Sequence, residues 1–131
     1  MAILLIVDDD EAIRDTLFEL FEEEHRCHLA GTVEEAMKWL DTETYDVVLT
    51  DISMPGLSGV ELLAVLRQRQ EKTPVIIITG LADRQLAEGL MKMGAFDYLI
   101  KPFHLDIVEK SVNRALGYRR MLLKEDVKSE K

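Results

Sequence analysis

An α/β fold, a doubly wound five-stranded parallel sheet with helices on both faces, is predicted by three features of the sequence. Short, almost wholly apolar runs alternate five times with amphipathic stretches. The runs are continuous rather than alternating, as in strands buried on both faces. The connections are short, which implies direct βα and αβ turns and right-handed crossovers.

Ala2 to Val7 is too short for a typical helix and too uniformly apolar for a half-exposed strand, so it reads as the first buried strand, ending at Asp8-Asp9-Asp10. Ile13, Leu17, Leu20 and Phe21 then recur at helical spacing among Glu19, Glu22, Glu23 and Glu24, an amphipathic helix with an acidic outer face. Cys27 to Gly31 gives a weaker strand signal. Thr32 to Glu35 has the capping-box pattern and opens a helix carrying Ala36, Met37 and Leu40. Tyr45 to Thr50 is the third strand, and Met54-Pro55-Gly56 marks a sharp turn after Asp51. Ser58 to Glu61 is a second capping box, opening a helix that buries Leu62, Leu63, Val65 and Leu66. Val75 to Thr79 is the fourth strand, closed at once by Gly80. Asp83 reads as the N-cap of a helix through Leu86, Leu90 and Met93, with Gly94 as its terminator. Phe96 to Ile100 is the fifth strand, ending at Lys101-Pro102. The last helix starts near His104 and carries Leu105, Val108, Val112, Ala115 and Leu116.

With 131 residues, the chain is expected to form a single domain. No stretch approaches the ~18 apolar residues of a membrane span, and the first strand lacks the basic flank and cleavage site of a signal peptide. The single Cys27 rules out an internal disulfide framework and suits a reducing cytoplasm. Net charge is −9, with 16 acids against 3 bases in residues 1–66 and 9 against 13 in residues 67–131. Such an acidic front half attracts divalent cations and repels nucleic acid, so direct DNA binding by this domain is not expected.

Asp8 and Asp9, Asp51, Thr79 and Lys101 fall at the ends of the first, third, fourth and fifth strands. In a parallel sheet those ends share one rim, where open α/β sheets place their ligands. Three carboxylates in one place repel one another and raise each other's pKa. A hard divalent cation such as Mg²⁺ removes that conflict, and an incoming phosphate oxygen completes its shell. A lone aspartate at a strand end is usually a helix cap, and Asp10 reads equally as a cap or as part of the cluster. Capping is a poor account of Asp8, Asp9 and Asp51 together. Asp51 is therefore read as the acceptor of a phosphoryl group, forming an acyl phosphate. Lys101 supplies a compact positive charge for phosphoryl oxygens, Thr79 a hydroxyl, and Gly80 an unobstructed backbone amide.

These residues resemble the receiver domain of two-component response regulators. The resemblance rests on Ile6-Val7-Asp8-Asp9-Asp10, on Leu49-Thr50-Asp51-Ile52-Ser53-Met54-Pro55-Gly56, on Ile78-Thr79-Gly80, and on the stretch from Gly94 through Asp97, Tyr98 and Lys101 to Phe103. It covers roughly residues 1–120. It implies a flavodoxin-like (βα)5 sheet with strand order 2-1-3-4-5. It further implies that Asp51 takes phosphate from a sensor histidine kinase, a histidine phosphotransfer protein or a small donor such as acetyl phosphate. Asp9, Asp51 and the Ser53 backbone carbonyl would bind Mg²⁺ directly, with Mn²⁺ as a substitute, and Asp8 mainly through a metal-bound water. Thr79 and Tyr98 would form the switch, read out on the surface of helix four, strand five and helix five, and the bond before Pro102 would be cis. Leu81, two residues after Thr79, offers no group to orient water, so slow self-dephosphorylation is expected. On this reading the chain is a cytoplasmic signalling switch rather than a turnover enzyme.

Two other classes compete. A phosphohydrolase of the haloacid-dehalogenase type would use Asp8 as nucleophile and Asp10 as acid, but the late acidic pair it needs is missing and the Asp51 motif stays unexplained. An adaptor would bind partners without phosphorylation. His25, His28 and His104 lack metal-ligand spacing and read as surface or packing residues, as Cys27 reads as a small hydrophobe. Residues 121–131 are either a tail or the start of a linker helix towards an output domain, since the last apolar stripe continues to Leu122. A homodimer through that helix, or through the face of helix four, strand five and helix five, is compatible with this pattern.

Overall fold

A computed structural model describes residues 1–53, 58–70 and 72–129, the side chains of residues 126–129 excepted. The turn expected at Met54-Pro55-Gly56 lies outside the described residues. Five strands, β1 (Ile3–Val7), β2 (Arg26–Ala30), β3 (Val47–Thr50), β4 (Val75–Thr79) and β5 (Asp97–Ile100), alternate with five helices. The helices are α1 (Glu11–Phe21), α2 (Val33–Thr42), α3 (Gly59–Arg69), α4 (Arg84–Lys92) and α5 (Leu105–Ser129). All strand pairs are parallel, and the order is β2-β1-β3-β4-β5, as the family resemblance implied.

The alternation of side chains along a strand splits the core in two. Leu5, Val7, Val48, Val75 and Ile77 pack with α2, α3 and α4 through Ala36, Leu40, Leu62, Leu63, Leu66 and Leu90. Leu4, Ile6, Val47, Leu49, Ile76 and Ile78 pack with α1 and α5 through Leu17, Phe21, Val108, Val112 and Ala115. Each fully buried aliphatic side chain contributes roughly 1.5–3 kcal/mol, so the central strands anchor the molecule. The two edge strands are less covered, and Ile100 at the end of β5 is 40% exposed.

Local signals hold with small shifts. Asp10 caps α1 by accepting from the Ala12 amide, and Asp83 caps α4 by accepting from Leu86. Gly94 takes φ +103°, a left-handed conformation that a side chain would strain. At α2 the Thr32 hydroxyl accepts from the Glu35 amide, but the Glu35 carboxylate returns to the Gly31 amide, one residue short of a closed capping box. Val65 is only half-buried, and Met93 and Leu105 are exposed at 41% and 43%. Both exposed residues fall at helix ends, where the apolar stripe has rotated off the sheet. His25 and His28 serve packing: His25 accepts from the Ala2 amide, while His28 stacks on Trp39 and bonds the buried Tyr45 hydroxyl.

The last helix continues unbroken to Ser129. Arg119 fastens it to the base of the sheet. Its Nε lies 2.9 Å from Asp46 Oδ1, and its Nη1 donates to the Lys72 carbonyl at 3.1 Å. Asp46 in turn accepts from the Ile3 amide, so one guanidinium links α5 to the entrance of β1 and β3.

Candidate functional site

The rim at the carboxyl ends of the strands is built by ladders that run one residue past the sheet. The Asp8 amide donates to Ala30, the Asp51 amide to Val7 and the Lys101 amide to Thr79, at 3.1, 3.0 and 2.7 Å. The main chains of Asp8, Asp51 and Lys101 are thus each fixed by a neighbouring strand. Lys101 Nζ sits between two carboxylates, 2.7 Å from Asp8 Oδ2 and 2.8 Å from Asp51 Oδ2. Asp8 is 2% and Asp51 6% exposed, whereas Asp9 stands at the open side. Oxygens of Asp8, Asp9 and Asp51 all lie within 4.8 Å of one another.

Electrostatics follow from burial. Desolvation pushes the Asp8 carboxyl above its ordinary range, although the Lys101 hydrogen bond and charge pull the other way. Burial also disfavours the Lys101 ammonium, but the hydrogen bonds to Asp51 and Asp8 outweigh it and hold the lysine above its usual value. The Asp51 carboxylate is oriented twice, by Lys101 on Oδ2 and by the Ser53 amide on Oδ1 at 2.9 Å. Three hard oxygen donors of net negative charge, open on the Asp9 side, are the donor set that suits Mg²⁺ or Mn²⁺.

Thr79 is fully buried at the end of β4, and its hydroxyl accepts from the Leu81 amide at 3.2 Å rather than from a partner in the cluster. The Tyr98 hydroxyl donates to the carbonyl of that same Leu81 at 2.6 Å. The two residues therefore grip one peptide segment from its two polar ends. Gly80 is exposed, with open space where a Cβ would stand. The Lys101–Pro102 peptide is cis.

Sequence reading missed three supports of this rim. A Cβ on Gly59, the first residue of α3, would fall 2.2 Å from the Asp51 carbonyl oxygen. The Thr50 hydroxyl donates to that oxygen at 2.9 Å. Arg14 Nη1 donates to the Asp8 carbonyl at 2.7 Å. A glycine directly after the capping serine was the one available sign of the first; nothing local announces the other two.

The family model of the response regulator receiver domain matches residues 4–113. The chain belongs to this family. Among curated relatives, this receiver domain is 39% identical over 127 residues to the C4-dicarboxylate transport transcriptional regulatory protein DctD of Pseudomonas aeruginosa, covering 92% of the chain and 26% of that protein. It is 41% identical over 114 residues to the DNA-binding transcriptional regulator NtrC of Klebsiella pneumoniae, covering 86% of the chain and 24% of that protein. The chain thus spans about a quarter of these relatives. Among solved structures, a receiver domain from Clostridium thermocellum superposes with TM-score 0.86 at 31% identity, covering 93% of this chain and 99% of that one. The response regulator TrrA of Thermotoga maritima, solved in complex with Mg²⁺-BeF, superposes at 0.79 with 33% identity, covering 88% and 100%. Among the described residues no helix is long and apolar enough to cross a membrane.

Proposed function

We propose that Asp51 of this receiver domain is the phosphoacceptor of a two-component signalling switch. The observation that carries the reading is the convergence of Asp8, Asp9 and Asp51 on one point with Lys101 Nζ bridging two of them. An Asp51 carboxylate oxygen attacks phosphorus, the P–N bond of a partner's phosphohistidine breaks, and the imidazole keeps the released electron pair. The product is an aspartyl phosphate. The donor is a sensor histidine kinase, a histidine phosphotransfer protein or a small donor such as acetyl phosphate. Asp8, Asp9, Asp51 and the Ser53 carbonyl would hold Mg²⁺, for which Mn²⁺ can substitute. That ion supplies charge neutralisation for the oxygens gathered during transfer. Lys101 orients Asp51 and then pairs with a phosphoryl oxygen, and the Gly80 amide adds a donor.

The switch follows from the grip on Leu81. A phosphoryl oxygen competes for the Thr79 hydroxyl, which turns away from the Leu81 amide towards the new charge. Because Tyr98 holds the other end of that residue, the ring feels the change, and the α4–β5–α5 surface shifts population. The readout is on partners or on a second copy, through that face or α5. By analogy with DctD and NtrC, the whole protein would be a transcriptional regulator.

Incubation with Mg²⁺ and acetyl phosphate, followed by intact mass, is expected to give a single phosphate adduct. Asp51→Asn should abolish it, while Asp8→Asn should slow but retain it. No adduct with any donor would leave only an adaptor, and steady turnover of a phosphate ester would make the protein a phosphohydrolase. Cation binding has its own signature. At 100 times its dissociation constant, Mg²⁺ should stabilise the fold by about 2.7 kcal/mol, a rise on the order of 8 °C in melting temperature. A melting curve that Mg²⁺ leaves unmoved, or moves equally in Asp9→Asn, would count against the site.

A further inference from the structure

Asp8 and Asp9 reach the acidic cluster by different means. All the polar groups of Asp8 are engaged: its amide with Ala30, Oδ1 with the Asp10 amide, Oδ2 with Lys101, and its carbonyl with Arg14 Nη1 at 2.7 Å. Asp9 is exposed, and among the described residues no hydrogen bond holds its carboxylate. That carboxylate nevertheless lies within 4.8 Å of the other two. What aims it must be its backbone. The carbonyl that Arg14 grips belongs to the rigid peptide plane joining Asp8 to Asp9, and that plane fixes where the Asp9 Cα stands.

Arg14 is itself held in place. It projects from α1, and a Cβ built on Gly31 would come within 3.0 Å of Nη1, so the guanidinium is confined against the β2–α2 turn. A permanently charged group with five donors in a rigid fork suits this task, since it can keep one short bond to a carbonyl without changing protonation state. We infer that Arg14 is a positioning residue of the cation site, acting through the Asp8–Asp9 peptide to aim the Asp9 carboxylate. The inference rests on the reading that this site takes a divalent cation.

The test is a double-mutant cycle read by Mn²⁺ titration, with free Mn²⁺ followed by electron paramagnetic resonance. Arg14→Met should weaken Mn²⁺ binding about tenfold, as loss of an outer support does at other metal sites. Arg14→Lys, which keeps the charge and a donating nitrogen but not the planar fork, should recover part of the loss. In the Asp9→Asn background, Arg14→Met should change affinity less than about twofold, because nothing remains for the arginine to aim. An arginine that only stabilises the fold would lower the melting temperature and leave the affinity of the folded protein unchanged. That result, or an undiminished loss in the Asp9→Asn background, would overturn the inference. If Arg14→Met does not fold, Arg14→Gln enters the same cycle. A wild type that binds no Mn²⁺ overturns the cation site itself, whereas one that binds normally but ignores the Arg14 substitutions overturns only the role given to Arg14.

Discussion

Gly59→Ala is expected to destabilise the protein by about 2 kcal/mol and to impair phosphoryl uptake, although it adds a single methyl group at the start of a helix. Helix propensity alone favours alanine by up to ~1 kcal/mol. The opposing term is steric. The new Cβ would lie 2.2 Å from the Asp51 carbonyl oxygen and 2.9 Å from the Ile52 Cα, both main-chain atoms that no rotamer change can move aside. Overpacking of this kind typically costs 1–3 kcal/mol or more. Relief requires α3 to back away or the end of β3 to shift, and the second displaces Asp51 from Lys101. Urea denaturation and the acetyl phosphate assay measure the two effects separately. Gly80→Ala is the control, since nothing stands within 4 Å of its would-be Cβ, and its stability should stay within about 0.5 kcal/mol of wild type. Equal stability of the two variants would show that α3 does not abut the end of β3 as described.

Lys101→Met should cost about 3 kcal/mol at neutral pH in the absence of divalent cations, and much less in acid. Removing one partner of a buried ion pair typically costs ~3–5 kcal/mol, and the lower figure is appropriate because the lysine side chain keeps 19% exposure. In the wild type the raised lysine pKa means that its stabilising share is complete below about 10.4. That share disappears only as pH climbs through the still higher folded value. In the variant, Asp8 keeps its desolvation and loses its main favourable partner, so its carboxyl moves further up. A raised carboxyl favours the folded state while protonated, and stability is lost as pH rises through its folded value. The gap between variant and wild type should therefore be smaller at pH 5 than at pH 8, and Mg²⁺ should narrow it at pH 8 without restoring phosphoryl uptake. Urea titrations at the two pH values decide the matter. A gap of equal size at both would mean that the lysine acts as packing and not as a counter-charge.

Strand order aside, the fold was written plainly in the chain because the central strands carry unbroken apolar runs, Leu4 to Val7 or Val75 to Ile78, that are stable only when buried on both faces. The chemical rim was legible for a related reason. A carboxylate or an amine directly after such a run can only emerge at the strand's end, which brought Asp8, Asp51 and Lys101 together from distant positions. What stayed hidden depends on approach in three dimensions. Gly59 meets the Asp51 carbonyl only because α3 returns against β3, and Arg14 meets the Asp8 carbonyl only because α1 folds back on β1. The Glu35 carboxylate choosing Gly31 over Thr32 is a contest between adjacent amides that periodicity does not resolve. Leu105 and Met93 look like core in a helical pattern, yet each lies at a helix end with the sheet no longer beneath it.

The Arg119 clasp gives the final helix a geometry with mechanical meaning. At 1.5 Å of rise per residue, the stretch from Leu105 to Arg119 crosses about 21 Å, from beside the acidic rim to the far mouth of the sheet. Its first turn follows the lysine that touches Asp51, while its guanidinium is lodged at the opposite pole. The turns beyond it run on to Ser129, along a line set by the Asp46 ion pair and the Lys72 carbonyl. With Arg119 as the pivot, a displacement of the helix start near Lys101 would reach the tip reversed in direction and at about seven-tenths of its size, because the outer arm is about 15 Å long against about 21 Å for the inner one.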